Sequence, residues 1–296
     1  MKSGCVDLHI HSDRSSDGDY SPEAIARMAA EAGFAAIAIA DHDTVAAYPA
    51  ALEAGRKEGV EIVPSMEVTT MYDDREFHCQ LPFLDWENAR VAGIVERVAE
   101  TRWQEARERV VNLRALGVGI SWEEVEAASP EMAPLGVTIA RILLDKPESR
   151  RDPKLRKYYG DDGRPFPPSL FYRDFFLDGA PAYVPKRHIA LLEVLEESAR
   201  VGAAAVLSHP GAYFQKTTHE DLDRLKDFGL AGLEVYTSYH DAEQTRFYLE
   251  EARTFDLVPT AGSDFHGRVK PHVAFGSIKD GGYEMVEALR ERRPSP

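Results

Sequence analysis

The chain has 296 residues, long for one simple domain and ordinary for an α/β barrel carrying an insertion. Its formal charge of −15 argues against non-specific coating of nucleic acid, which needs a positive face, so no duplex nucleic-acid partner is expected. No apolar run approaches a membrane span, the N-terminus shows no signal-peptide pattern, and Cys5 and Cys79 are the only cysteines, which excludes a disulfide scaffold and suits a reducing cytoplasm.

CVDLHI predicts a first strand, and SPEAIARMAAEAG a helix with Ser21 as N-cap, Pro22 in the first turn and Gly33 as stop. FAAIAIAD predicts a second strand. TVAAYPAALEAGRKEG predicts a helix that starts late or kinks at Pro49. VEIVPSMEVTT reads as a third strand and REFHCQLPFLD as a fourth, an alternation that implies a largely parallel sheet.

The pattern then changes. Residues 86–116 predict one long amphipathic helix and 121–128 a second; 130–185 is rich in proline and carries the basic, aromatic run KPESRRDPKLRKYYGDDGRPFPPSLFYRDFF. These features mark 86–185 as a mostly helical insertion with a long loop, set between two parts of one catalytic unit, 1–85 and 186–296. From 186 the alternation returns. HIALLEVLEESARVG predicts a helix, AAAVLSHP a strand, and TTHEDLDRLKDFG a helix with a capping box from Thr217 to Glu220. LAGLEVYTS, DAEQTRFYLEEARTF and LVPTAGSDFHG follow as strand, helix and strand, and VAFGSI suggests one more strand.

Histidines and acids recur at the carboxyl ends of these strands, where α/β sheets and barrels place their active sites. His9 and His11 close the first strand and His42 follows the second. Glu67 lies near the end of the third, His78 in the fourth, and His209 closes AVLSHP. Asp264 and His266 follow the last strand, and Asp17 sits in the turn after the first. Because strand side chains alternate, Asp7, His9 and His11 share a face whose buried polar groups demand partners, and a metal supplies them. Asp7, deepest in the strand, is placed to accept the second ring N–H of a ligating histidine. A donor set of histidine and carboxylate without thiolate suits zinc, manganese or iron, and these donors suffice for two or three ions if one carboxylate bridges. His188 and His219 read as surface or capping residues, Asp41 and Asp43 as support for His42 or helix caps rather than ligands, and His272 has no evident partner.

With DLHIHSDRSSDG, ADHDT, PSMEVTT, SHPGAY and AGSDFHG in this order, the chain resembles the polymerase and histidinol phosphatase (PHP) family, in its nucleotide-directed phosphoesterase group. The resemblance covers residues 5–79 and 182–267. It implies an α/β fold, a distorted (βα)7 TIM-like barrel, and a trinuclear centre. His9, His11, Glu67 and Asp264 would hold one divalent metal (Mn, Fe or Zn). Glu67 would bridge to a second held by His78 and His209, and Asp17, His42 and His266 would hold a third. Asp13 competes weakly with Asp17. FHCQLPFLD departs from the family's glycine-containing strand, and PLGVTIARILL stands where the family has a Gly-Arg-Pro-His stretch, keeping Arg141 as the expected substrate anchor. Lys186, Arg187 and Arg268 are further candidates. The basic run SRRDPKLRK could steer an anionic substrate, and Tyr158, Tyr159 and Phe166 could stack on a base. Each of these has a plain alternative as surface charge or local core.

The expected reaction is hydrolysis of phosphate monoesters of small nucleotides by a metal-bridged hydroxide, with His240 as candidate acid and Asp264 as catalytic ligand. The favoured substrates are 3′,5′-bisphosphorylated nucleotides or the 5′ ends of short oligoribonucleotides. Alternatives are a histidinol phosphate or sugar phosphate phosphatase, a C–N amidohydrolase, and a metal-stabilised binding module without activity.

Overall fold

In the computed structural model, which describes residues 4–130 and 132–294, β1 (Cys5–Ile10) leads through a tight turn into α1 (Pro22–Glu31). Ser21 caps α1 by accepting the Ala24 N–H at 3.2 Å, and proline at the first position needs no hydrogen bond there. β2 (Phe34–Ile39) pairs parallel with β1. α2 (Ala50–Glu58) begins directly after Pro49, the late start that the sequence allows. β3 (Glu61–Ile62) adds a short parallel edge to β2.

The third predicted strand is broken in two. The backbone leaves the first sheet at Pro64, and β4 (Glu67–Tyr72) opens a second sheet. β4 turns back on β5 (Arg75–Gln80) as an antiparallel hairpin whose two turn residues, Asp73 and Asp74, both have positive φ. The sheet is therefore mixed where the sequence pattern implied largely parallel pairing.

α3 (Ala89–Ala115) runs from one hydrophobic core to another. Val91, Ile94 and Val98 join Met66, Leu81 and Leu207 of the strand region; Ala106, Val110 and Leu113 join a cluster drawn wholly from residues 106–182. α4 (Trp122–Ala128), α5 (Gly136–Asp145) and α6 (Pro168–Phe175) complete that second cluster, with Tyr158, Phe171 and Phe176 fully buried in it. The basic run 149–158 forms two 3-10 turns, and its Lys154 ammonium donates to the Leu116 carbonyl at 2.8 Å.

β6 (Ile189–Ala190) pairs with β4, so the helix predicted from His188 starts later, as α7 (Leu191–Arg200). β7 (Val206–Leu207), α8 (His219–Asp227), β8 (Gly232–Thr237), α9 (Ala242–Thr254), β9 (Val258–Gly262) and α10 (Tyr283–Glu291) follow. The capping box of α8 is Thr218 with Asp221, one residue beyond the predicted pair. VAFGSI forms no strand; Val273 and Phe275 instead pack into the cluster around Phe34 and Phe265.

The strands form a three-stranded sheet, β1-β2-β3, and a six-stranded sheet, β6-β4-β5-β7-β8-β9. Among the described residues no sheet closes on itself, and the architecture is a mixed α/β arrangement of two sheets, bridged between Ile10 and Phe265 and between His42 and Glu67. The sheets are stitched where β1, β2 and β9 end and β4 begins. The Glu67 N–H donates to the Asp41 carbonyl at 3.1 Å and the Asp264 N–H to the His9 carbonyl at 2.8 Å. These stitches bring the histidines and acids together. Among the described residues no helix is long and apolar enough to cross a membrane.

Candidate metal centre

Alternation along the strands aims the donors. In β1, Val6, Leu8 and Ile10 enter apolar clusters, leaving Asp7, His9 and the following His11 on the other face. In β5, Phe77 and Cys79 face the core while Glu76, His78 and Gln80 share the opposite side. Asp43, His209 and Asp264, at the loop starts, hold positive φ of 55°, 25° and 56°. Non-glycine residues are strained there, and such strain concentrates at functional sites.

The nine expected donors converge. Eight are buried and the His42 side chain is 11 % exposed. Glu67 lies at the centre. Its Oε2 is 3.2 Å from His9 Nε2 and 3.2 Å from His42 Nδ1; its Oε1 is 3.3 Å from His78 Nδ1 and 3.1 Å from His209 Nε2. His11 Nε2 is 3.0 Å from Asp264 Oδ1, and His266 Nε2 is 3.1 Å from Asp17 Oδ2. Three groups have ligand atoms within 4.8 Å of one another: His9, His11, Glu67 and Asp264; His11, Asp17, His42 and His266; and His42, Glu67 and His78. The first reproduces the expected set. In the others, His11 and His42 each lie nearer a neighbouring group than the family resemblance implied. Asp13 stays outside, its carboxylate 3.4 Å from the Arg14 side chain.

Electrostatics fit a cation site. Burial alone lowers the His11 pKa, but the carboxylates of Asp264 and Glu67 reverse that and lift it to about 9; His78, beside Glu67 and Glu76, also reaches about 9. Burial raises the carboxyls of Asp17, Glu67 and Asp264, and surrounding imidazoles, with Lys270 beside Asp264, pull all three well below the usual range. A pocket that keeps its acids ionised and pulls protons onto His9, His11 and His78, while burial holds His42, His209 and His266 below their ordinary values, is one that divalent cations satisfy. Glu67 Oε2, Asp264 Oδ1, His42 Nδ1, His78 Nδ1 and Nε2, and His209 Nδ1 are buried without a hydrogen-bond partner, which costs free energy unless a ligand fills the gap. The residues present therefore fit a bound divalent metal.

Sequence reasoning missed part of the support. His9 Nδ1 is held by Glu234 Oε1 at 2.9 Å, while Asp7 accepts the backbone N–H of Ser263 at 2.9 Å. The tautomer-fixing role expected of Asp7 thus falls to Glu234. Glu234 Oε2 also accepts the His209 N–H at 2.7 Å. Only glycine fits at 262, because a Cβ there would stand 2.1 Å from Glu234 Oε1 and 2.3 Å from the His9 Cβ. The signal was a single glutamate inside the apolar strand LEVYT. Asp41 holds the turn after His11 through Ser12 N and Oγ, both at 2.6 Å. Asp43 accepts the Thr69 N–H at 2.8 Å and Arg102 Nε at 3.1 Å. Behind His78, Glu76 pairs with Lys186, and buried His188 lies 3.6 Å from it, which corrects the surface reading of His188.

A cleft of about 150 Å³ opens on the donors. Lys270, Arg102 and Arg109 line it, as do Leu135, Gly136 and Tyr172 of the 106–182 segment. Lys270 pairs with Asp264 and lies 2.9 Å from the Tyr239 hydroxyl. Several expected residues stand apart from this cleft. Arg141 donates to the Ser16 carbonyl at 3.0 Å and supports the turn carrying Asp17. Arg187 pairs with Glu108, and Arg268 with Asp19 at 2.8 Å. His240 has both ring nitrogens engaged by backbone: Nδ1–H donates to the Val235 carbonyl at 2.8 Å, and Nε2 accepts the Gly211 N–H at 2.9 Å. That pairing fixes its proton away from the cleft and removes the basis for His240 as acid. Tyr158 is core, the Tyr159 hydroxyl donates to the Leu144 carbonyl, and Phe166 is exposed but lies outside the cleft. His219 pairs with Glu251 at the surface, and His272 is exposed.

The model of the PHP domain matches residues 7–126. A Chromobacterium violaceum protein named 3′,5′-nucleoside bisphosphate phosphatase is 26% identical over 265 residues, covering 88% of this chain and 87% of that one. An Eggerthella lenta protein named phosphoribosyl 1,2-cyclic phosphate 1,2-diphosphodiesterase is 30% identical over 273 residues, 91% and 97% of the two chains. A solved structure from Bifidobacterium adolescentis, assigned as a metal-dependent phosphoesterase, superposes with a TM-score of 0.84 at 25% identity, covering 98% of this chain and 96% of that one.

Proposed function

The chain belongs to the PHP family, and from that premise we propose that it is a metal-dependent hydrolase of phosphate esters, acting on phosphomonoesters of small nucleotides. The observation that carries this reading is the convergence of Asp17, Glu67, Asp264 and six histidines on a cleft also lined by Lys270, Arg102 and Arg109. His9, His11, Glu67 and Asp264 would hold one divalent ion, Glu67 with His78, His209 and His42 a second, and Asp17, His42, His11 and His266 a third; manganese, iron and zinc all suit these donors. When bound, such ions lower the pKa of coordinated water toward neutrality and offset charge on phosphoryl oxygens.

The chain's own groups do the rest. Glu234 orients His9, Glu76 stands 3.4 Å from His78 Nε2, and Asp41, Asp43 and Arg141 fix the turns that carry His11, His42 and Asp17. The Lys270 ammonium and the Tyr239 hydroxyl are proton-bearing donors facing the cleft, suited to phosphoryl and leaving oxygens, a role for which His240 is replaced. The Chromobacterium violaceum relative named for a nucleoside bisphosphate supports substrates with two phosphates on one nucleoside.

A second reading, opening of a cyclic phosphodiester, is favoured by the relative at 30% identity named as a diphosphodiesterase. The test is phosphate release by chelator-treated protein restored with Mn²⁺, Fe²⁺ or Zn²⁺. Nucleoside 3′,5′-bisphosphates, 5′-phosphorylated oligoribonucleotides, a ribose cyclic phosphate and an amide are offered in parallel. Metal-dependent release from the first two is expected. Cyclic-phosphate opening alone selects the diester reading, and amide turnover without phosphate release overturns both.

A further inference from the structure

Resting on the nucleotide reading above, we infer that Tyr213, with Tyr172 in the same cleft, forms a stacking site for the substrate's nucleobase. The cleft lining combines acids, imidazoles and cations with the apolar and aromatic groups Leu135, Val137, Leu177, Tyr172 and Tyr213. Such a cleft complements a ligand with a charged end and a flat apolar end. A sugar phosphate has only the charged end.

Tyr213 is 56% exposed, and of the large hydrophobic side chains left exposed among the described residues it alone lines this cleft. Its position is fixed from behind. Phe214 meets it edge-on at 5.3 Å and is itself packed 5.2 Å from His78 and 5.5 Å from His209. A ring stacked on Tyr213 is thus referenced to the donor cluster through one intervening side chain. Tyr172 is held by different means. It lies against Gly136 so closely that a Cβ there would stand 2.7 Å from its ring, and the Arg109 guanidinium is 5.7 Å from its centroid. Each ring has a packing partner in the free protein, Phe214 for Tyr213 and Gly136 with Arg109 for Tyr172, which reduces the entropy lost on binding. Aromatic faces bind bases with little sequence preference, because every base has a π-face. The site is therefore expected to favour purines over pyrimidines by ring area and to be indifferent to base edges.

The test compares the kcat/KM ratio of a purine nucleoside 3′,5′-bisphosphate to ribose 5-phosphate in the wild-type protein, Tyr213→Ala and Tyr213→Trp. Binding of a purine nucleoside 5′-phosphonate, which has no ester oxygen to release, is measured by calorimetry against a ribose phosphonate. Tyr213→Ala is expected to lower both ratios roughly 5- to 100-fold, and Tyr213→Trp to retain them, with melting curves verifying that each variant folds. Unchanged ratios in Tyr213→Ala overturn the stacking site. Absence of phosphoester hydrolysis in the wild-type protein overturns the functional reading instead, and the phosphonate ratio then still decides whether Tyr213 stacks a base.

Discussion

The two walls of the cleft are built on different principles. The strand wall presents charged and imidazole groups from strand ends and the loops that follow, fixed by backbone stitches between two sheets. The wall from the 106–182 segment presents Tyr172, Leu135 and Gly136 from helices that pack on their own aromatic core. The comparison teaches a division of labour. Chemistry sits where strand register locks side chains, and shape sits where helix packing can vary without disturbing that register.

The strongest break of the comparison is Glu67→Gln. Glu67 lies within reach of five histidines, so the variant is expected to lose metal by elemental analysis and about a thousandfold in phosphate release. In the wild-type protein the ligating histidines must be neutral, and His11 and His78 hold a proton up to about pH 9 without a metal, so metal affinity is expected to fall steadily as pH drops below about 9. Constant metal content down to pH 4 would contradict this.

Phe171→Ala tests the other wall. Phe171 is fully buried in the 106–182 cluster, and its truncation is expected to cost about 3–5 kcal/mol of that cluster's stability. Limited proteolysis should then cut within 146–167 while metal stoichiometry at saturation is retained. Parallel loss of metal would erase the distinction between the walls.

Glu234→Gln sharpens it at smaller scale. It weakens the orientation of His9 without removing a donor, so metal affinity should fall about 10- to 100-fold with the melting curve little changed. The smallest effect is Asp221→Asn, at a residue that does not line the cleft. Burial raises the Asp221 carboxyl, but Arg75, at 2.6 Å, and the Thr218 N–H outweigh it and hold it below its ordinary value. A depressed folded value means the stabilisation is present above the unfolded-chain value and lost as pH falls through the folded one. The variant should be less stable than wild type by about 1 kcal/mol at pH 7 in urea melts, a difference that shrinks in acid.

The strand wall was legible because its code is local. HIH, DHD and SDFH place donors at fixed parity after apolar runs, and parity survives errors in strand boundaries. The break at Pro64 and the β4–β5 hairpin escaped the pattern, since periodicity does not give strand direction. Glu234 escaped because one acid in LEVYT carries no motif; its role depends on Gly262, a neighbour distant in sequence from His9. The helical wall was illegible for the same reason at larger scale. Arg141 looked like a substrate anchor and is committed to the Asp17 turn, while Arg109, unremarked in its helix, lines the cleft. Such roles are set by tertiary packing, which no short window encodes.

α3 is one unbroken rod of 27 residues, roughly 40 Å long, with its first turns seated in the strand core and its last in the other. A beam anchored at both ends resists hinging at the boundary between the regions it joins. The aperture is thus preset by this girder, and a ligand's passage depends on the short segments that flank it, such as the loop bearing Tyr213, rather than on one half swinging from the other.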